Sequence, residues 1–192
     1  MATQSVLRYT YRMQTAVLKP WISSEEYLTF ERTADVRHEY VNGEVYAMVG
    51  TSRRHNVITQ NLSAALRPSI RRHGCESYTE NVKVRVDLAN AFYYPDLVVT
   101  CDPKDDDPYI VHAPSLIVEV LSESTEAIDR REKRAHYQMI PSLREFALIA
   151  QDGRCVDIYR RNGVEWTHET VTEGEVSFES VGVTVALDDL YA

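Results

Sequence analysis

The sequence predicts a mixed α+β (α/β) fold in which helices pack on a β-sheet. Three observations lead there. Asn42-Gly43 lies between two short alternating runs, and a type I′ turn wants two such residues tolerant of positive φ. Between Arg53 and His73 the apolar residues Ile58, Leu62, Ala65, Leu66 and Ile70 recur at helical spacing. Two aliphatic runs, Leu97-Val-Val and Leu116-Ile-Val-Glu-Val-Leu121, read as strands, and a second helix follows the latter.

Taken in order, Ser23-Ser24-Glu25-Glu26 has the form of a capping box, and a short helix to about Arg32 should follow. The Asn42-Gly43 turn should pair Val41 with Glu44 and Glu39 with Tyr46, forming an N-terminal hairpin. Period-two alternation then puts Glu39 and Glu44 on one face. In the helix from Arg53, Pro68 should introduce a kink or an early end, and Gly74 is a natural stop. Strands are expected over about Glu76–Asp87, Tyr94–Cys101 and Ser115–Leu121. Asp102-Pro-Lys-Asp-Asp-Asp-Pro108 reads as an exposed turn, since it lacks the glycine and spacing of a calcium loop. Ser122-Glu-Ser-Thr125 should open a helix running to about Met139, which Pro141 closes. Strands at Glu145–Ala150 and Cys155–Arg160, joined by Asp152-Gly153, complete the core. The tail alternates weakly and adds one or two edge strands.

The chain has 192 residues, 44% of them hydrophobic and 26% charged, which suits a single domain and argues against disorder. Residues 1–22 read as a partly disordered leader, and 23–192 as the one domain. No apolar stretch is long enough to cross a bilayer and no signal-peptide core precedes the fold, so the expectation is a cytoplasmic protein with no membrane partner. The three cysteines, Cys75, Cys101 and Cys155, are scattered. They form no metal motif and are expected to be reduced, as buried small hydrophobes. The net charge of -8 speaks against a nucleic-acid partner at first sight. Seven acids lie between Asn162 and Ala192, where there is no Lys or Arg. Removing these seven from 29 leaves 22 acids against 21 bases. Most of the chain is therefore nearly neutral.

Chemistry concentrates in two places. Asp96 follows Pro95 at the head of one apolar strand, and Glu119 interrupts the next. A buried unpaired carboxylate costs several kcal/mol, roughly, so Glu119 must be paired, protonated or bound to a cation. It could lie at a strand end and pair with an arginine. Alternatively, neighbouring strands bring Asp96 and Glu119 to one ion, and hard oxygen ligands favour Mg²⁺ or Mn²⁺. Without metal, their mutual repulsion should raise the pKa of one of them. Asp129, Lys133 and Tyr137 stand at i, i+4 and i+8 on one helix face. They make either a surface ion pair or a device that leans Lys133 toward the carboxylates.

These residues carry a resemblance. Glu39-Tyr-Val-Asn-Gly-Glu44, His55 with Leu62 and Leu66, Pro95-Asp96, Ile117-Val-Glu-Val-Leu-Ser122 with Ser124-Thr125, and Asp129-x3-Lys133-x3-Tyr137 together resemble the PD-(D/E)XK nuclease superfamily. More closely, the chain looks like the Uma-two family within it. The resemblance implies a restriction-endonuclease-like core, a central mixed sheet flanked by helices with a divalent metal at one edge, and a homodimer. It implies Mg²⁺-dependent cleavage of DNA phosphodiester bonds, with Asp96 and Glu119 as ligands and Glu44 as a third candidate. The superfamily's lysine, two residues after the second acid, is replaced here by Leu121, so Lys133 becomes the candidate for its role. Glu39, His55, Asp129 and Tyr137 are supporting candidates. Arg53, Arg54, Arg71, Arg72, Arg130, Arg131 and Arg134 could approach DNA, although for most of them a solvated helix face is the expected setting. The competing expectation is a nuclease-fold binding or regulatory module without activity.

Overall fold

A computed structural model describes residues 21–123 and 125–192; the expected leader through Pro20, and Ser124 of the Ser124-Thr125 motif, lie outside these. Helix α1 (Ser24–Glu31) opens with the capping box, Ser23 receiving the Glu26 N–H while the Glu26 side chain caps the Ser23 N–H. Strands β1 (His38–Val41) and β2 (Glu44–Ala47) form the hairpin, with Val41 opposite Glu44 and Glu39 opposite Tyr46. Trp21 and Ile22, assigned to the leader from sequence, already belong to the fold. The Ile22 N–H donates to the Gly43 carbonyl, and Ile22 is buried with Tyr27, Tyr40 and Phe92.

The turn has the geometry its residues invite, Asn42 at φ 45 and Gly43 at φ 99. A methyl group on Gly43 would stand 2.7 Å from a ring carbon of Trp21. Trp21 is exposed and can give way, but the backbone strain stays. Gly43→Ala should cost about 1–2 kcal/mol in urea denaturation, and an unchanged midpoint would refute this account.

Helix α2 (Arg53–Arg72) is capped by Ser52, whose hydroxyl accepts the His55 N–H. Pro68 lies inside it and does not end it early, which settles one of the two outcomes expected of that residue. Pro68 and Ala64 both lie on the exposed face, so the carbonyl left without its helical donor is solvated. The single strand expected over Glu76–Asp87 is two: β3 (Glu76–Thr79) and β4 (Lys83–Val86). They are separated at Glu80, which has φ 61, and they belong to different sheets.

β5 (Ala91–Tyr93), β6 (Leu97–Thr100), β7 (Ile110–Val111) and β8 (Pro114–Leu121) follow. The next helix is built in three parts. One turn, α3 (Glu126–Ile128), leads into a wide π turn, Asp129–Lys133, and then into α4 (Arg134–Tyr137). β9 (Glu145–Ala150), β10 (Val156–Asn162) and β11 (Glu165–Val171) extend the main sheet. The tail adds the hairpin β12 (Glu175–Phe178) and β13 (Val183–Ala186), then α5 (Leu187–Leu190).

The central sheet has the order β11-β10-β9-β8-β6-β3 and is mixed, because β8 runs parallel to β9 and antiparallel to β6. Every residue of β8 is buried, as a strand covered on both faces requires. One face packs on α2, α5 and the tail hairpin through Ile58, Leu62, Leu116, Val118 and Phe178. The other packs on α4 and on the second sheet, β2-β1-β5-β4-β7, through Tyr93, Ile117, Tyr137, Phe146 and Leu148. Each fully buried aliphatic side chain contributes about 1.5–3 kcal/mol.

The cysteine expectation is corrected in part. β3 and β6 pair antiparallel with Glu76 opposite Thr100, which sets Cys75 against Cys101, and the two form a disulfide across a Cα separation of 4.2 Å. Residues 26 apart in sequence become neighbours only through this non-local pairing. Cys155 is a free thiol. Among the described residues no helix is long and apolar enough to cross a membrane.

Candidate active site

The site forms where β6 and β8 run side by side. Leu97 lies opposite Val118 in the antiparallel register, so Asp96, one residue earlier, falls beside Glu119. Each acid is held by the other's strand. The Val120 N–H donates to Asp96 Oδ2 at 2.6 Å, and the Asp96 N–H faces Glu119 Oε2 at 3.4 Å. His55, on the first turn of α2, places Nε2 3.1 Å from Asp96 Oδ2. Burial disfavours a charged His55 ring, but the Asp96 carboxylate outweighs it and the pKa is raised.

Glu119 is 4% exposed and its carboxyl is held well above the usual range. Burial is the main cause, with Asp129, Asp96 and Glu39 adding repulsion against the pull of Lys133. The Tyr137 hydroxyl donates to Glu119 Oε1 at 2.8 Å.

The wide π turn brings Lys133 back over the strands. Its ammonium group lies 2.8 Å from Glu39, 3.4 Å from Glu119 and 3.4 Å from Asp129, and 5.4 Å from the centre of the Tyr93 ring. Burial alone would lower the pKa of this lysine. The three carboxylates reverse that, and its pKa stands well above the ordinary lysine value. Asp129 is also raised, by burial first, with Lys133 opposing.

A cavity of 410 Å³ opens onto this cluster, with His55, Asp96, Glu119, Asp129 and Lys133 in its wall. Of the residues singled out in the sequence, Asp96, Glu119, Lys133, His55, Asp129 and Tyr137 thus converge. Glu44 does not line the cavity: its carboxylate is hydrogen-bonded by the Tyr46 hydroxyl. Glu39 is the hairpin acid that enters the cluster, also accepting the Tyr94 N–H at 3.3 Å. The face was read correctly but not the position along it. Two residues along a strand amount to about 6–7 Å, and Glu44 sits that much nearer the turn.

The donor chemistry fits a hard divalent cation. Two carboxylates from adjacent strands face one cavity, and a cation there would offset the burial that, more than the neighbouring acids, disfavours the charged form of Glu119. Among the described residues no three His, Cys, Asp or Glu side chains are arranged to hold an ion by themselves. Asp96 and Glu119 could supply two oxygen ligands, with the rest of a cation's shell left to water or substrate.

The arginines divide. Arg54 donates to the Gln151 carbonyl, Arg130 is held by Glu126 and Asp157, and Arg134 bonds the Tyr159 hydroxyl. Arg53, Arg71, Arg72 and Arg131 are exposed. Arg71 and Arg72 lie at the far end of α2, about 30 Å from Arg53 along the axis. Sequence reasoning missed Arg32, Arg37 and Lys83, which carry no motif and cluster only in three dimensions.

Comparison with known proteins agrees with this picture. Two uncharacterized proteins of Synechocystis sp. (strain ATCC 27184 / PCC 6803 / Kazusa) are each 34% identical to the chain. One match covers 90% of this chain and 92% of the relative, the other 74% and 82%. The fold resembles the crystal structure of "a putative nuclease belonging to DUF820" from Anabaena variabilis ATCC 29413. The TM-score is 0.69 at 17% identity, over 88% of this chain and 97% of that one. The pattern of the Uma2 family, described as "putative restriction endonuclease", matches residues 24–187, and the chain belongs to that family.

Proposed function

We propose that the protein is a divalent-metal-dependent endonuclease that hydrolyses phosphodiester bonds in DNA. Family membership supports a nuclease. The observation that carries the finer reading is the meeting of Asp96 and Glu119 on adjacent strands with the Lys133 ammonium 3.4 Å from Glu119, at the wall of one cavity. Asp96 and Glu119 would hold Mg²⁺ or Mn²⁺, which polarises the scissile phosphate and lowers the pKa of an attacking water.

The remaining chemistry belongs to the chain. Lys133 is fixed and protonated, so it can orient a water by hydrogen bonding and offset negative charge developing on the phosphate. Tyr137 fixes the rotamer of Glu119, and His55 that of Asp96. Their burial means that neither acid has to be reorganised when substrate arrives. The cytoplasm is the compartment proposed for this reaction, and two copies related by a two-fold axis would serve cleavage of both strands.

Leu121, where the superfamily has its lysine, favours a second reading, a binding module that has lost activity. Assay of the chain and of Asp96→Ala on linear, circular and single-stranded DNA, with Mg²⁺, Mn²⁺ or EDTA, separates the two. Metal-dependent cleavage by the native chain, lost at least about 10³-fold in Asp96→Ala, is the expected result. DNA binding without cleavage under any metal would establish the inactive module.

A further inference from the structure

A second cavity, of 530 Å³, adjoins the first between the end of α1, β4 and the segment before β7. Arg37, Asn81 and Tyr94 line both cavities, so the two are neighbours. Arg32, Arg37 and Lys83 stand around the second, and among the described residues none of them has a carboxylate ion-pair partner. Arg37 donates to the Glu31 carbonyl at 3.4 Å, and Lys83 to the Tyr94 hydroxyl at 3.3 Å, with its ammonium 5.2 Å from the centre of the Tyr94 ring.

Two acids face the same space and both are committed. The Glu31 carboxylate accepts from the Tyr94 hydroxyl, the His38 N–H and His38 Nδ1 at 2.9–3.0 Å. Asp107 Oδ1 caps the N–H groups of Tyr109 and Ile110. Lys83 is half-buried, and its pKa is depressed by that burial and by the charges of Arg37 and Arg32, against the pull of Glu31 and Asp107. Three cations crowded beside one cavity with no free counter-charge are relieved by an anion. At the rim Tyr109 is 64% exposed, a large aromatic face open to a base.

We propose that this cavity is a subsite for an internal phosphate of the DNA strand flanking the scissile bond, held by Arg32 and Lys83, with a neighbouring base stacked on Tyr109. The proposal rests on the nuclease reading above and adds where the strand runs: from the Asp96–Glu119 wall past Tyr94 toward the end of α1. The shared wall residues place this subsite beside the proposed cleavage site. Direct Arg and Lys contacts of this kind set register and supply salt-dependent affinity without reading sequence.

The test scans a duplex with single neutral methylphosphonate linkages on either side of the cleavage position. Binding and single-turnover cleavage are measured for the native chain and for Arg32→Gln/Lys83→Gln. The expected result is one flanking position at which neutralisation weakens native binding about tenfold. The double variant should show a similar loss on unmodified DNA and no further loss when that linkage is neutralised. Its log affinity should also depend less on log salt, with the slope lower by about 1 for each contact removed. Arg71→Gln/Arg72→Gln, at the far end of α2, should leave the position-specific effect intact. Additive losses at every position would overturn the subsite while leaving the nuclease reading standing. A native chain that neither binds nor cleaves DNA would overturn both. Coupling confined to a 5′-terminal phosphate would make the cavity an end-recognition pocket and overturn the internal-strand assignment. Thermal melting confirms that the variants fold, as exposed Arg32 and half-exposed Lys83 lead one to expect.

Discussion

Lys133→Met will lower single-turnover cleavage by about 10³-fold or more and destabilise the protein by about 3–5 kcal/mol in chemical denaturation. Both effects follow from its position. The ammonium is 6% exposed and lies among Glu39, Glu119 and Asp129. Removing it leaves three acids, the buried Glu119 and Asp129 and the half-buried Glu39, with no cation between them, and breaking a buried ion cluster costs far more than breaking a surface pair. This differs from an Asp–Lys pair on a helix surface, which would contribute only a few tenths of a kcal/mol. The two roles separate in Lys133→Met/Glu39→Gln. Taking one charge out of the cluster should restore part of the stability and none of the activity. Full turnover in either variant would remove Lys133 from the reaction. A double variant that regains both would make the lysine purely structural.

The second large effect has opposite signs in its two readouts. Glu119→Gln should abolish cleavage, by about 10³–10⁴-fold, yet stabilise the metal-free protein at pH 8. Burial lifts the Glu119 carboxyl well above its ordinary value of 4.5, so the folded state holds the proton more tightly than the unfolded chain. Ionising the group therefore works against folding. The wild type loses stability as pH rises through the raised folded value, and Gln has no proton to lose. Below about pH 4 the acid is protonated in both states, and the advantage of Gln should vanish. A variant that is less stable at pH 8, or equally more stable at pH 4, would contradict this account of the site. Adding Mn²⁺ should narrow the gap, because it stabilises only a chain with the carboxylate intact.

Much of this was legible in the chain before any coordinates. The Asn42-Gly43 turn fixed the hairpin register residue by residue, because period-two strands leave no freedom once the loop length is known. A glutamate inside Leu116–Leu121 announced itself by the cost of its burial. The i, i+4, i+8 spacing of Asp129, Lys133 and Tyr137 put three polar groups on one face, and that face turns inward. What stayed hidden depends on contacts distant in sequence. Cys75 meets Cys101 only through the pairing of β3 with β6. The break at Glu80 sends β3 and β4 to different sheets, though the run reads as one strand. Glu39 rather than Glu44 reaches Lys133: its carboxylate accepts the Tyr94 N–H, next to the Tyr93 ring over which the lysine lies.

The wide turn Asp129–Lys133 sets how this protein can vary. An ordinary helix advances about 100° per residue, and a π turn accommodates one residue more than an α turn would. In an ordinary helix the loss of one residue would turn everything after it by about that angle; here the loss is absorbed as the turn tightens to α geometry, and Tyr137 stays in phase with Glu119. Such a deletion removes only the width of the turn, so its effect should fall on Asp129 and Lys133 at the two ends of the turn and spare the strands. Exchanging an outward-facing residue such as Arg131 alters neither.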